Sequence, residues 1–201
     1  MAWTNVKGFN FRATSGFVTD GTNQTFDLGA AYPRSVTIDS DTFSVGWPVD
    51  ATARARDRAV QDPRLSGIIS NANSAGEVKW RIDLPSAGQY TIRLAMGDQA
   101  GSNTVFFRIY DNSTVLATVS NVATVANGFV DATGVARTSP TDWINNNASV
   151  TLNFATTICF IGCGDPSTIA GSFSSIAHFD IVQAGGGGGT SAKSLLTLGI
   201  G

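Results

Sequence analysis

The densest chemical stretch of the chain is Arg54-Ala55-Arg56-Asp57-Arg58, inside a polar run over residues 49–66 that holds four arginines and three aspartates. A guanidinium is a rigid fork that grips carboxylates with two bonds and survives partial burial. Two arrangements fit this composition. Arg56, Asp57 and Arg58, joined by Asp98, line a polar cleft for a sugar or a partner chain; or the run is a loop stapled to the body by Arg–Asp pairs through Asp50, Asp57 and Asp62. Asp57 and Asp98 also invite comparison with the two carboxylates of a glycoside hydrolase, but no motif surrounds them. Trp47, just before Pro48, and Trp143, in Thr141-Asp142-Trp143-Ile144-Asn145-Asn146-Asn147, are candidate stacking platforms for a sugar ring. The alternatives are a core position for Trp47 and a loop anchor for Trp143.

His178 stands beside Asp180. A general base needs a nucleophile and an orienting group within hydrogen-bond reach. The chain offers no Gly-x-Ser-x-Gly turn and no Ser/His/Asp spacing, so His178 is expected to be structural or solvent-facing and the protein not to be an enzyme. Cys159 and Cys163 are read as two semi-buried thiols or as a small-loop disulfide; a metal site would need more soft ligands than one histidine supplies. Asp20-Gly21-Thr22-Asn23 has the start of a calcium loop without its remaining ligands. Gly185 to Gly189 precede no Lys-Ser/Thr helix, so they are not a phosphate loop. No metal and no cofactor is expected.

The elements that must position these groups read as strands. Val6 to Arg12 alternates with Phe9 and Phe11 on one side, and Gly16-Phe17-Val18 ends at an Asp-Gly turn. Gln24 to Leu28 is a short strand with Phe26 and Leu28 inward. Ser35 to Ile38 and Phe43 to Trp47 follow. Glu77 to Leu84 alternates strictly, with Val78, Trp80, Ile82 and Leu84 in and four charges out, and Gln89 to Gly97 alternates again after Pro85-Ser86-Ala87-Gly88. These two are expected to form an antiparallel hairpin. Val105 to Tyr110, Thr114 to Val119, Val122 to Val125 and Phe129-Val130 are further short strands. Ala148 to Phe154 and Thr157 to Ile161 are expected to pair, and Ser175 to Val182 closes the body. No amphipathic helix exceeds two turns. A dozen short strands with regular turn signals predict an all-β protein, a single jelly-roll-like antiparallel β-sandwich.

The chain has 201 residues, 14% of them charged, and a net charge of −2. Charged residues usually make up about a quarter, so this is a sparsely charged β-protein. The near-neutral balance gives no general attraction to nucleic acid. Ten of the thirteen basic residues are arginine, which favours specific pairing over a diffuse field. The N-terminus lacks the basic start and apolar run of a signal peptide, and no stretch is long enough to span a membrane.

Five glycines at 185–189 form a flexible tether, because glycine has the most backbone freedom to lose on ordering. Leu195, Leu196, Leu198 and Ile200 follow with one charge, Lys193. A short apolar strand on a loose tether is expected to dock on another chain as an added strand. The expected organisation is therefore a sandwich over 1–184 and an assembly arm over 185–201.

The segment Arg81-Ile82-Asp83-Leu84-Pro85-Ser86-Ala87-Gly88-Gln89-Tyr90-Thr91-Ile92-Arg93-Leu94-Ala95-Met96-Gly97-Asp98 resembles the central hairpin of malectin-like and galactose-binding-like jelly rolls, carbohydrate-binding modules among them. The likeness is sharp over those 18 residues and loose over 6–183; it speaks for fold more than for function. Arg54 to Arg58, Asp62-Pro63-Arg64-Leu65-Ser66-Gly67-Ile68, the 81–98 hairpin and the glycine-rich tail together look like those of virion proteins of tailed bacteriophages. That second resemblance implies a structural subunit of the particle, made in the host cytoplasm: a capsid decoration protein first, a tail or fibre component second. Its partners would be copies of itself and a capsid or tail protein, with a host glycan added if the carbohydrate-binding alternative holds.

Overall fold

Alternating apolar and polar residues form strands wherever one face can be buried, and here they stack in two layers. The computed structural model describes residues 3, 5–13, 24–58, 65, 67–70, 76–98, 101, 104–125, 128–137, 148–165 and 174–184. The larger sheet takes β1 (Lys7–Phe11), β2 (Gln24–Asp27), β5 (Ala55–Asp57), β6 (Gly67–Ser70), β8 (Gly88–Met96), β11 (Phe129–Val130), β12 (Ala136–Arg137), β13 (Val150–Phe154) and β15 (Ser175–Gln183). The smaller takes β3 (Arg34–Ile38), β4 (Asp41–Gly46), β7 (Val78–Asp83), β9 (Thr104–Asp111), β10 (Thr114–Ala123) and β14 (Ile158–Cys163). The spine of the larger sheet runs β12-β11-β8-β15-β1-β2, with β13 also on β8 and β6 also on β15. The smaller runs β10-β9-β14-β7-β4-β3. Strand pairs are antiparallel except β1 with β2. The protein is an all-β, jelly-roll-like sandwich.

Its centre is Trp80. Phe9, Phe11 and Phe179 meet that indole edge-on or tilted at centroid distances of 5.0, 5.2 and 5.2 Å, the arrangement that ring quadrupoles favour. Trp3, expected at an end or an interface, is buried and packs on Phe43 at 4.8 Å.

Several expected pairings differ. β7 and β8 do not form a hairpin: residues 85–87 carry the chain from one sheet to the other. Both strands have a core-facing row, Trp80 and Ile82 on one, Tyr90, Ile92 and Leu94 on the other. Facing each other across the sandwich buries both rows at once. The Tyr90 hydroxyl donates to the Ser86 carbonyl at 2.8 Å and pins this arch. β13 and β14 separate in the same way, β13 on β8 and β14 between β7 and β9. Thr114 to Val125 is not two strands; β10 runs unbroken to Ala123 with two register shifts. The polar run 49–66 is not wholly irregular, since a 3₁₀ turn over Thr52–Arg54 leads into β5, which pairs with β6.

Cys159 and Cys163 are buried and not joined in a disulfide. They sit four residues apart on one extended strand, about 13 Å, whereas a disulfide tolerates about 7 Å between Cα atoms. Burial pushes both thiols well above the ordinary cysteine range. The strand expected at Gly16-Phe17-Val18, the Asp20 to Asn23 loop, Asp62, Trp143 and the arm with Leu195, Leu196, Leu198 and Ile200 lie outside the described residues.

Candidate functional site

The Arg/Asp run resolves toward the stapled loop. Arg58 grips Asp98 with both arms, Nε to Oδ1 at 2.6 Å and Nη2 to Oδ2 at 2.7 Å. Buried Arg12 donates from Nε to Asp57 Oδ1 at 3.2 Å. Asp50 accepts from the Thr52 backbone at 2.8 Å. Asp57 and Asp98 thus each face an arginine of their own. Arg56 is exposed and donates back to the Ala55 carbonyl at 2.7 Å. Trp47 is not a platform: it is 2% exposed, and its Nε1 donates to Asp27 at 3.2 Å. Its ring completes the core beside Phe11 at 6.2 Å.

Asp27 itself is a surprise of placement. Apolar alternation points Phe26 and Leu28 inward, yet Asp27 is the fully buried member of the strand. The two indole N–H groups at the sandwich centre need an acceptor, and its carboxylate supplies one to Trp47 and, at 2.9 Å, to Trp80. His178, expected to be structural or solvent-facing, is fully buried. Its Nδ1 lies 2.9 Å from Asn10 Oδ1 and its Nε2 lies 3.0 Å from Asp180 Oδ2. Sheet register places the pair, Asn10 opposite His178 and Arg93 opposite Asp180.

The outer face of the smaller sheet gathers what the sequence left scattered. On β7 the residues opposite Trp80 and Ile82 are Lys79, Arg81 and Asp83; on β14 they are Phe160 and Gly162; on β9 they are Phe106, Arg108 and Tyr110. Register sets Arg81, Phe160 and Tyr110 side by side in one row, and Lys79, Gly162 and Arg108 in the next. Gly46 opposes Arg81 on the far side, and residue 32 crosses above it, where a Cβ would meet the Tyr32 backbone at 2.7 Å.

Each ring on this face carries a cation. Arg81 lies over Tyr32 at 4.2 Å and over Phe160 at 5.9 Å; Lys79 lies over Tyr110 at 3.7 Å; Arg108 lies over Phe106 at 5.2 Å. Such contacts stabilise by about 0.5–1 kcal/mol at exposed positions. Two phenols anchor two carboxylates, Tyr32 to Asp83 at 2.8 Å and Tyr110 to Glu77 at 2.6 Å. Burial first, then the bonded carboxylate, raises both phenols above the ordinary tyrosine pKa, so both stay protonated and donate. Arg81 Nε completes the first group on Asp83 at 2.7 Å.

Gly162 makes the second group possible. A Cβ there would fall on the Glu77 carboxylate and within 2.9 Å of the Tyr110 ring. The glycine leaves a hollow in the sheet face, and the Glu77 side chain, 7% exposed, lies in it. Its Oε2 serves Tyr110 and faces Lys79 Nζ at 3.7 Å. Its Oε1 receives no hydrogen bond from the described residues. The arrangement presents stacked planes, fixed acceptors and fixed cations on one surface, which suits a flat ligand rich in hydroxyl groups. Sequence reasoning found the outward charges of β7 and missed their aromatic partners. The alternation Phe106-Phe107-Arg108-Ile109-Tyr110 and the glycine inside β14 were the available signals. Among the described residues no three His, Cys, Asp or Glu side chains gather as a metal site.

No family model matches the chain, and no curated protein matches it. Solved structures do. The complex of plant peptide RALF23 with FER and LLG2 aligns at 8% identity and a TM-score of 0.45, covering 91% of this chain and 40% of that one. The ANX2 ectodomain from Arabidopsis thaliana aligns at 10% identity and 0.45, covering 89% and 42%. A family 35 carbohydrate binding module from Clostridium thermocellum aligns at 14% identity and 0.37, covering 65% and 89%. The chain thus spans about two fifths of the length of the two receptor chains.

Proposed function

We propose that the protein is a non-catalytic glycan-binding module and that the outer face of the smaller sheet is its ligand surface. The observation that carries this reading is the Glu77 carboxylate: nearly buried, held by Tyr110, with Oε1 met by no donor among the described residues. A buried acceptor left unmet costs about 1–3 kcal/mol, and a rotation of this flexible side chain out of the hollow would give Oε1 a sugar hydroxyl as donor. The half-buried Phe160 ring and the guanidinium planes of Arg81 and Arg108 receive the apolar face of a pyranose, and the Arg81–Asp83 pair addresses vicinal hydroxyls. The particle-subunit reading draws no support from the described residues, because the arm on which it rests lies outside them.

The test is a glycan array followed by calorimetry on the best ligand. Glu77→Gln and Arg81→Ala are expected to weaken binding at least tenfold, with the thermal midpoint within a few degrees of the parent. An array without a hit, or a hit that both variants bind as well as the parent, overturns the proposal.

A further inference from the structure

Lys7 puts an amine at the margin of an apolar core. It stands on the inward row of β1 with Phe9 and Phe11, opposite Ile181, and its side chain is 0% exposed. A lysine is almost never fully buried without a partner, and this one meets three oxygens where β3 turns into β4. Its Nζ lies 2.7 Å from Asp41 Oδ2 and 3.8 Å from Asp39 Oδ2, and it donates to the Ile38 carbonyl at 3.2 Å. Unusual backbone holds the two carboxylates around it. Asp39 and Ser40 have φ of 52° and 69°, left-handed values that non-glycine residues adopt at a cost. The Asn5 side-chain amide donates to Asp39 and fixes it.

A nucleophile, an electrophilic carbon and a base thus share one place. Moving one proton from Nζ to Asp41 turns the ion pair into an amine against a carboxylic acid, which an apolar surround tolerates better than two charges. The amine then keeps two hydrogens, which face the Ile38 carbonyl and Asp39, and its lone pair faces Asp41. Groups held in such contact react as if at a very high local concentration.

We propose that Lys7 and Asp41 condense into an amide bond within the folded chain. The Nζ lone pair attacks Asp41 Cγ and forms the new N–C bond. Asp39 takes a proton from that nitrogen and returns it to the departing hydroxyl; the C–O bond breaks and one water leaves. Nothing is oxidised or reduced. Asp39 and Asp41 are partly exposed, so the water has an exit. The product ties β1 of the larger sheet to β4 of the smaller. The inference is independent of the glycan proposal.

Mass spectrometry of the full chain, denatured after purification, tests it without any variant. The parent is expected to weigh one water less than its sequence. Trypsin is expected to leave the Lys7–Gly8 bond uncut and to release residues 1–12 joined to residues 35–54. Lys7→Arg keeps the charge without the nucleophile and is expected to carry its full sequence mass, with the two peptides separate. Asp39→Asn keeps both reacting groups and is expected to form the bond at least tenfold more slowly after synthesis. A parent of full sequence mass overturns the proposal. So does a missing water that maps to any other pair of residues, or to a cyclised aspartate within one peptide. A bond that forms at the parent's rate in Asp39→Asn overturns the role given to Asp39.

Discussion

At the scale of single residues, the sandwich is organised by a carboxylate in its middle. Asp27 accepts from the indoles of Trp47 and Trp80, from the Gly29 N–H at 2.8 Å and from Arg34 Nη2 at 3.3 Å. Trp80 belongs to the smaller sheet and Asp27 to the larger, so one carboxylate links the layers. Breaking a buried charged network by removing one member costs about 3–5 kcal/mol. Asp27→Ala is therefore expected to lose that much in urea unfolding, with the midpoint shifted and the slope kept; a loss under about 1 kcal/mol would remove the linking role. Hydropathy could not reveal this residue. Gln24-Thr25-Phe26-Asp27-Leu28 alternates with phenylalanine and leucine in phase, and only the need of two distant indoles for an acceptor reverses the phase.

At the scale of elements, strands were legible and their partners were not. The alternation of β7, β8, β9 and β15 is plain in the chain because each has a core-facing row. Whether neighbours in sequence pair or face each other is decided by where the rows meet in space, which is why β7–β8 and β13–β14 come out as arches between sheets. The same limit hid the candidate site: Glu77 and Lys79 come from the start of β7, Arg108 and Tyr110 from β9, and register alone assembles them around Gly162 of β14. Gly162→Ala tests that assembly. A methyl in the hollow displaces the Glu77 carboxylate, the end of a flexible side chain, so stability should fall by only about 1–2 kcal/mol. The Tyr110 phenol loses a partner that helps to raise its pKa. Ultraviolet titration should show one tyrosine ionising at lower pH than in the parent, and glycan affinity should drop at least tenfold. An unchanged titration would mean that Glu77 does not depend on the glycine.

At the scale of the whole molecule, the few charges are spent on joining parts. Lys7, buried on β1, reaches Asp41 of the smaller sheet at 2.7 Å; Arg58 and Asp98 tie the 49–66 run to the end of β8. Asp131 does the same at the edge where β11, β12 and the approach to β13 meet. It accepts from the Thr133 hydroxyl at 2.7 Å, from Arg137 at 2.7 and 3.0 Å, and from the Val135 and Ala148 N–H groups at 3.1 and 3.3 Å. Burial alone would raise this carboxyl, but those donors outweigh it and hold its pKa below the usual range. A group depressed in the folded state stabilises it above the unfolded pKa, about 3.9 for aspartate, and that contribution disappears as pH falls through the folded value. Stability should accordingly decline below about pH 4 as Asp131 takes up a proton. Asp131→Asn should already be destabilised at pH 7 and should decline less steeply over the same acid range. Urea unfolding of both proteins from pH 7 to pH 2 measures the difference. Parallel curves would show that the acid limit of this sandwich is set by carboxylates other than the one at its open edge.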